Sequence, residues 1–145
     1  MDKIGINGIS LTSLKIITND QGSIFHGLKK SESDFSGFGE AYFSTVGKNI
    51  IKGWNRHKDM IINLIVCVGE VKFVIYDDRN NSRSKGNLFT CTLSSDNYMR
   101  LKVNNGLWVA FKGISKNNTI LNIGSLEHHP EELEKLPIHS FQYNW

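Results

Sequence analysis

At 145 residues, with 39% apolar and 21% charged side chains, the chain is long enough to bury a core without staples and too apolar for a disordered segment. Its 17 Lys and Arg against 14 Asp and Glu leave a net charge of only +3, and the basic residues are scattered, which argues against nucleic acid as a partner. The opening Met1-Asp2-Lys3-Ile4-Gly5 lacks the apolar stretch of a signal peptide and no run reaches membrane-spanning length, so the expectation is one domain over residues 1–145, cytoplasmic and without a membrane partner.

Helical periodicity is nearly absent. Short apolar or alternating runs return about every eight to twelve residues between Gly, Asn, Asp and Ser, the pattern of an all-β sandwich or barrel. In chain order the predicted strands are Ile9–Ile17, Ser23–Leu28, Glu40–Val46, Ile50–Trp54, Ile61–Val68, Val71–Asp77, Leu88–Leu93, Met99–Val103, Trp108–Ile114 and Thr119–Ile123. Asn19-Asp20-Gln21-Gly22, Asp77-Asp78-Arg79-Asn80-Asn81 and Asn104-Asn105-Gly106 carry residues that tolerate positive φ or hydrogen-bond their own backbone, as turns require. The run Met60–Val68 is apolar on both faces and reads as a central strand covered on each side. After the turn at Gly69-Glu70, Val71, Phe73 and Ile75 alternate with Lys72 and Val74, as a strand with one better-buried face does. One short helix is predicted near the C-terminus, over Pro130–Leu136, because Pro suits a first turn and the acids behind it suit the positive end of a helix. The aromatic tail Phe141–Trp145 is expected to pack. Cys67 and Cys91 lie in apolar strand-like runs and are expected to be buried free thiols.

The densest group of reactive side chains is Lys52-Gly53-Trp54-Asn55-Arg56-His57-Lys58, just before the most apolar strand, where a barrel would open to a ligand. Alternation puts Asn55 and His57 on one face and Arg56 and Lys58 on the other. Imidazole titrates near neutral pH, so His57 is the candidate for proton transfer, and Lys52 or Arg56 is a candidate for a phosphate. His128 and His129 fall in a loop and read as solvated. Trp54, Trp108 and Trp145 read as core residues, with Trp108 beside the Gly106 turn a candidate to stack on a base or sugar.

From Asn49 to Arg79 the sequence resembles the central block of the dTDP-4-dehydrorhamnose 3,5-epimerases: an Arg-Gly-Leu-His-x-Gln motif, a buried strand, then Gly-Glu-Val and an alternating strand ending in Asp and Arg. Gly69-Glu70-Val71 and Asp77-Asp78-Arg79 match that block. Leu93-Ser94-Ser95-Asp96-Asn97 is similar to the family's Leu-Ser-x-x-Asn, Val103–Phe111 to its Ile-Pro-x-Gly-x-x-His-Gly-Phe, and Asp20–Phe25 to its Asp-x-Arg-Gly-x-Phe opening. The resemblance spans most of the chain. It implies a cupin (jelly-roll) barrel, an all-β double-stranded β-helix, acting on a sugar nucleotide such as a dTDP-linked keto-deoxysugar for a surface polysaccharide, lipopolysaccharide included. It also implies a homodimer in which an N-terminal strand is exchanged.

Several family residues are replaced. The histidine base falls on Asn55, the enolate-holding lysine on Ile62, the tyrosine acid near Asn122 and the histidine of the Gly-x-x-His motif on Val109. Asn accepts no proton near neutral pH and Ile stabilises no anion. The sugar 3,4-ketoisomerases resemble the chain at the same place through a His-x-His-Lys block, of which His57-Lys58 survive. His57 is therefore the expected base and Tyr42, on the preceding strand, the expected acid. Lys52, at the position of the family's phosphate-contacting arginine, is expected to hold the diphosphate with Arg56 or Arg79. Glu40, Asn55, Trp108 and Asn122 are the remaining substrate-binding candidates, with His26 near the family position where a partner strand reaches the nucleotide. The cupin metal positions fall on Asn55, on Met60 or Ile61, and on Val109, so no metal and no cofactor are expected. Two readings stay open: an epimerase or isomerase moving a proton beside the ketone of a 4-keto-6-deoxyhexose nucleotide, and a catalytically altered or inactive cupin that binds a sugar nucleotide or glycan.

Overall fold

In the computed structural model, which describes residues 5–145, two five-stranded antiparallel sheets face each other. The opening segment that bears on a leader lies outside the described residues. In chain order the strands are β1 (Ile9–Ser13), β2 (Ile16–Asn19), β3 (Gly22–Phe25), β4 (Glu40–Gly47), β5 (Ile51–His57), β6 (Ile62–Val68), β7 (Glu70–Tyr76), β8 (Leu88–Ser94), β9 (Met99–Val103), β10 (Trp108–Gly113), β11 (Asn117–Gly124) and β12 (Leu133–Lys135). One sheet has the order β1-β9-β6-β11-β4 and the other β12-β5-β10-β7-β8, while β2 and β3 pair as a separate hairpin. This is the expected jelly-roll, since strands that alternate apolar and polar can bury their apolar faces only against a second sheet.

The sheets enclose a core that includes Leu64, Val66, Phe73, Ile75, Leu93, Leu101 and Ile120. Strand β6 is central and buried along most of its length, as its two-sided apolarity requires. At Gly69, φ is +82° and an added Cβ would lie 2.2 Å from the Asn117 carbonyl oxygen. Only glycine fits the corner where the chain leaves β6 in one sheet and enters β7 in the other. Both faces of β7 are buried, because the C-terminal segment covers the outer one: Val74, Trp54, Trp108 and Ala110 pack there with Tyr76, Leu136, Ile138, Phe141, Tyr143 and Trp145.

Two expectations about local structure are corrected. Ile9–Ile17 is broken into β1 and β2, which belong to different sheets. The predicted helix over Pro130–Leu136 is a turn followed by β12, which pairs with β5 through Leu133↔His57 and Lys135↔Asn55. A two-turn helix is marginal on its own, so the strand ladder and the burial of Leu136 outweigh local preference. The only helical piece among the described residues is a 3-10 turn at Ile138–Ser140. Cys67 and Cys91 are free and half-buried, and burial pushes the Cys91 thiol up to about 12. No helix among the described residues is long and apolar enough to cross a membrane.

Candidate functional site

Strand β5 decides what faces the barrel interior. Its pairing with β10 slips, with Val109 opposite Asn55 but Phe111 opposite Lys52, so that Gly53 and Trp54 together oppose Ala110. This bulge re-phases the strand. Lys52 joins Asn55 and His57 on the inner face, and Trp54 and Arg56 point outward. Gly53 is required there, since φ is +134° and a Cβ would sit 2.6 Å from that of Ala110.

Between the sheets lies a cavity of about 400 Å³. Its walls carry Glu40, Tyr42 and Ser44 from β4, Lys52, Asn55 and His57 from β5, Asn122 from β11, and His128 from the loop before β12. Its floor is apolar, with Met60, Ile62, Leu64, Val109, Phe111, Ile120 and Leu133. Six of the sequence candidates, Glu40, Tyr42, Lys52, Asn55, His57 and Asn122, therefore meet in one space.

The His57 Nδ1 atom is buried without a hydrogen-bond partner and stands 3.7 Å from Glu132 Oε1. Burial pulls the His57 pKa below its ordinary value, the Glu132 carboxylate opposes that, His128 adds to the depression and Glu40 opposes it. The imidazole is thus predominantly neutral at physiological pH, the form that accepts a proton. Glu132 is itself buried and anchored: its carboxylate accepts the backbone N–H groups of Met60 at 2.6 Å and Asp59 at 2.9 Å. Tyr42 stands directly across from Asn122 in the β4–β11 ladder, and the Asn122 amide donates to its phenol oxygen at 3.0 Å. Burial raises the Tyr42 pKa, Glu40 raises it further and the Asn122 bond lowers it, so the phenol holds its proton at neutral pH. Lys52 reaches back so that its ammonium donates to the Thr45 carbonyl at 2.7 Å. The backbone N–H of His128 donates to Glu40.

Four candidates lie elsewhere. Arg56 is turned outward, donating to Asp78 at 3.1 Å and Glu134 at 2.7 Å, with its guanidinium 4.4 Å above the Trp108 ring. Trp108 is 3% exposed, donates its indole N–H to Asp78 and packs on Phe141, so it offers no open face for a base or sugar. Arg79 is spent on Asp77 and the Asn7 carbonyl. Burial alone would raise the Asp77 carboxyl, but bonds from Arg79, Ser82 and Ser84 more than reverse it and hold it far below the usual carboxylate range. His26 borders a separate shallow groove with Lys15, Lys29 and Asp34. Alternation already placed Arg56 on the face opposite His57; the C-terminal segment then holds Arg56 through Glu134 and covers Trp108 with Phe141.

Glu132 and His128 were not expected. Pro130-Glu131-Glu132 reads locally as a helix start and His128-His129 as a solvated loop; only the return of this segment along β5 brings them to His57. Among the described residues, no three His, Cys, Asp or Glu side chains converge as metal ligands.

No protein-family model matches the chain. A dTDP sugar isomerase from Desulfovibrio desulfuricans G20 is 31% identical, with 97% of this chain and 90% of that one covered and a TM-score of 0.94. A dTDP-4-dehydrorhamnose 3,5-epimerase from Elizabethkingia anophelis has the same fold, with a TM-score of 0.83 at 15% identity over 95% of this chain and 80% of that one. The "Probable low-salt glycan biosynthesis epimerase" of Haloferax volcanii is 24% identical over 118 residues, 80% of this chain and 76% of that protein. By identity to the isomerase over nearly its whole length the chain belongs to the dTDP-sugar isomerase family, and it shares the cupin fold of the 3,5-epimerases.

Proposed function

We propose that the chain is a sugar-nucleotide epimerase or isomerase that moves a proton beside the ketone of a 4-keto-6-deoxyhexose nucleotide, with dTDP as the favoured nucleotide, in the making of a polysaccharide or glycan. The single observation that carries this reading is an imidazole and a phenol brought from opposite sheets into one cavity. His57 takes the proton from the carbon next to the carbonyl; the C–H electrons form the enolate. Tyr42 then gives its phenolic proton to carbon from its own side of the cavity, and the phenolate and imidazolium exchange protons with solvent to restore the starting forms. Glu132 steadies the imidazolium as it forms. The Asn55 amide can donate to the enolate oxygen, standing in for the family lysine whose place Ile62 takes. Lys52 meets the diphosphate, while Glu40 and Asn122 meet sugar hydroxyls. In the same reading the protein works in the cytoplasm as a homodimer on the way to a surface polysaccharide such as lipopolysaccharide. The exposed Ile24 and Phe25 of the β2–β3 hairpin support pairing with a second copy.

The apolar Ile62 and Val109, where the family has lysine and histidine, favour a second reading: a cupin that binds a sugar nucleotide without turning it over. Incubation of dTDP-4-keto-6-deoxyglucose with the protein in heavy water separates the two. Deuterium at C3 or C5, lost in His57→Ala, is expected; thermal stabilisation by dTDP with no deuterium uptake would leave only the binding reading.

A further inference from the structure

Resting on the reaction proposed above, we infer that Asn122 is a positioning residue that makes Tyr42 a proton donor and ties that role to recognition of a sugar hydroxyl. Asn122 faces Tyr42 across the β4–β11 ladder and donates its amide N–H to the phenol oxygen at 3.0 Å. A phenol whose oxygen is held as an acceptor must send its own hydrogen elsewhere. Among the described residues no protein acceptor engages that hydrogen, and both side chains line the cavity. The bond therefore directs the Tyr42 O–H toward whatever occupies the cavity.

The other end of the same amide is informative. Asn122 Oδ1 is buried without a hydrogen-bond partner, and with His57 Nδ1 it makes up the buried unpaired side-chain atoms among the described residues. Buried polar atoms are rarely left unpaired; His57 Nδ1 faces Glu132 at 3.7 Å, so Asn122 Oδ1, on a side chain that lines the cavity, is the atom whose partner the chain does not supply. An amide oxygen accepts only, so its missing partner is a donor, and the donor a sugar offers is a hydroxyl. A hydroxyl seated on Oδ1 fixes the amide plane and hence the orientation of the N–H bond to Tyr42. Through one side chain, correct seating of the sugar aligns the acid. The feature is cross-strand: the residue aligned near the family's tyrosine is an Asn, and the tyrosine stands opposite it on the neighbouring strand.

Aspartate is the discriminating replacement. Asn122→Asp keeps the shape and the acceptor for the hydroxyl but reverses the bond to Tyr42, because a carboxylate draws the phenolic hydrogen to itself. With dTDP-4-keto-6-deoxyglucose in heavy water, N122D is expected to lower kcat about 100-fold, to the level of Tyr42→Phe, with KM changed less than about threefold. The double variant Y42F/N122D is expected to be no slower than Y42F, the mark of two residues acting as one unit. N122A, which removes the donor without reversing it, is expected to lose about tenfold, and circular dichroism and melting of each variant identify any that is misfolded. Wild-type kcat in N122D, losses in the double variant that multiply, a raised KM with kcat intact, or wild-type kcat in Y42F would each overturn the inference while leaving the reaction standing on His57. A wild-type protein that exchanges no deuterium would overturn the reaction itself.

Discussion

Successive residues of β5 serve two regions that treat their polar groups in opposite ways. On the outer face, Trp54 is fully buried with its indole N–H donated to the Ile138 carbonyl at 2.8 Å, and Arg56 is held by two carboxylates and an aromatic ring. These donors are satisfied by the chain itself, by the C-terminal segment through Ile138 and Glu134 and by Asp78. On the inner face, one residue away, His57 Nδ1 and, across the cavity, Asn122 Oδ1 are buried without partners. The chain saturates the polar groups of the outer side and leaves atoms unpaired on the side where the cavity lies. Unpaired polar atoms thus mark the cavity face more cleanly than residue type does, because Arg and Trp on the outer face look at least as reactive in the sequence.

If the two faces divide their labour in this way, His57→Ala is the largest functional loss: deuterium uptake falls on the order of 10³-fold, read by mass spectrometry, with the urea midpoint little changed. Trp54→Ala costs stability instead, about 3–5 kcal/mol in urea unfolding, because a fully buried indole leaves a cavity and an unpaired carbonyl. Glu132→Gln lowers kcat/KM about tenfold and moves the acid limb of its pH profile to lower pH, since the carboxylate raises the His57 pKa and the amide does not. The sign of the stability effect follows from the same depressed value. The unfolded chain takes a proton on His57 near 6.5 and the folded one only at lower pH, so the contribution is full above 6.5 and lost as pH falls toward the folded value. Urea unfolding of the wild type at pH 8 and pH 5, against H57Q, reads this difference, and equal losses in both proteins would refute it. Arg56→Ala is the smallest change, about 1 kcal/mol of stability with deuterium uptake unaltered; a collapse of uptake would place Arg56 at the reaction after all.

Much of the fold was legible because strand signals are local. Alternation in Val71–Ile75 and the two-sided apolarity of Leu64–Val66 each depend only on neighbouring residues, and both segments are strands of the barrel, although β7 is buried on both faces rather than one. Legibility of the site was more selective. His57, Asn55 and Lys52 stood out as a cluster, and Tyr42 and Glu40 belonged to the preceding strand, so sequence alone named most of the cavity wall. It also named Arg56, Trp108, Arg79 and His26, which the packing carries away from the cavity. Glu132 carried no local mark at all.

The sequence by itself determined an all-β chain, the order of its strands and the residue types available for proton transfer, since these rest on period-two patterning and side-chain chemistry. Only the tertiary structure decided which of those residues share a cavity. The bulge at Gly53 sets the phase of β5, the β4–β11 register brings Tyr42 to Asn122, and the return of the chain as β12 sets Glu132 beside His57. Each is a contact between distant segments, and its energy depends on packing that no stretch of neighbouring residues contains.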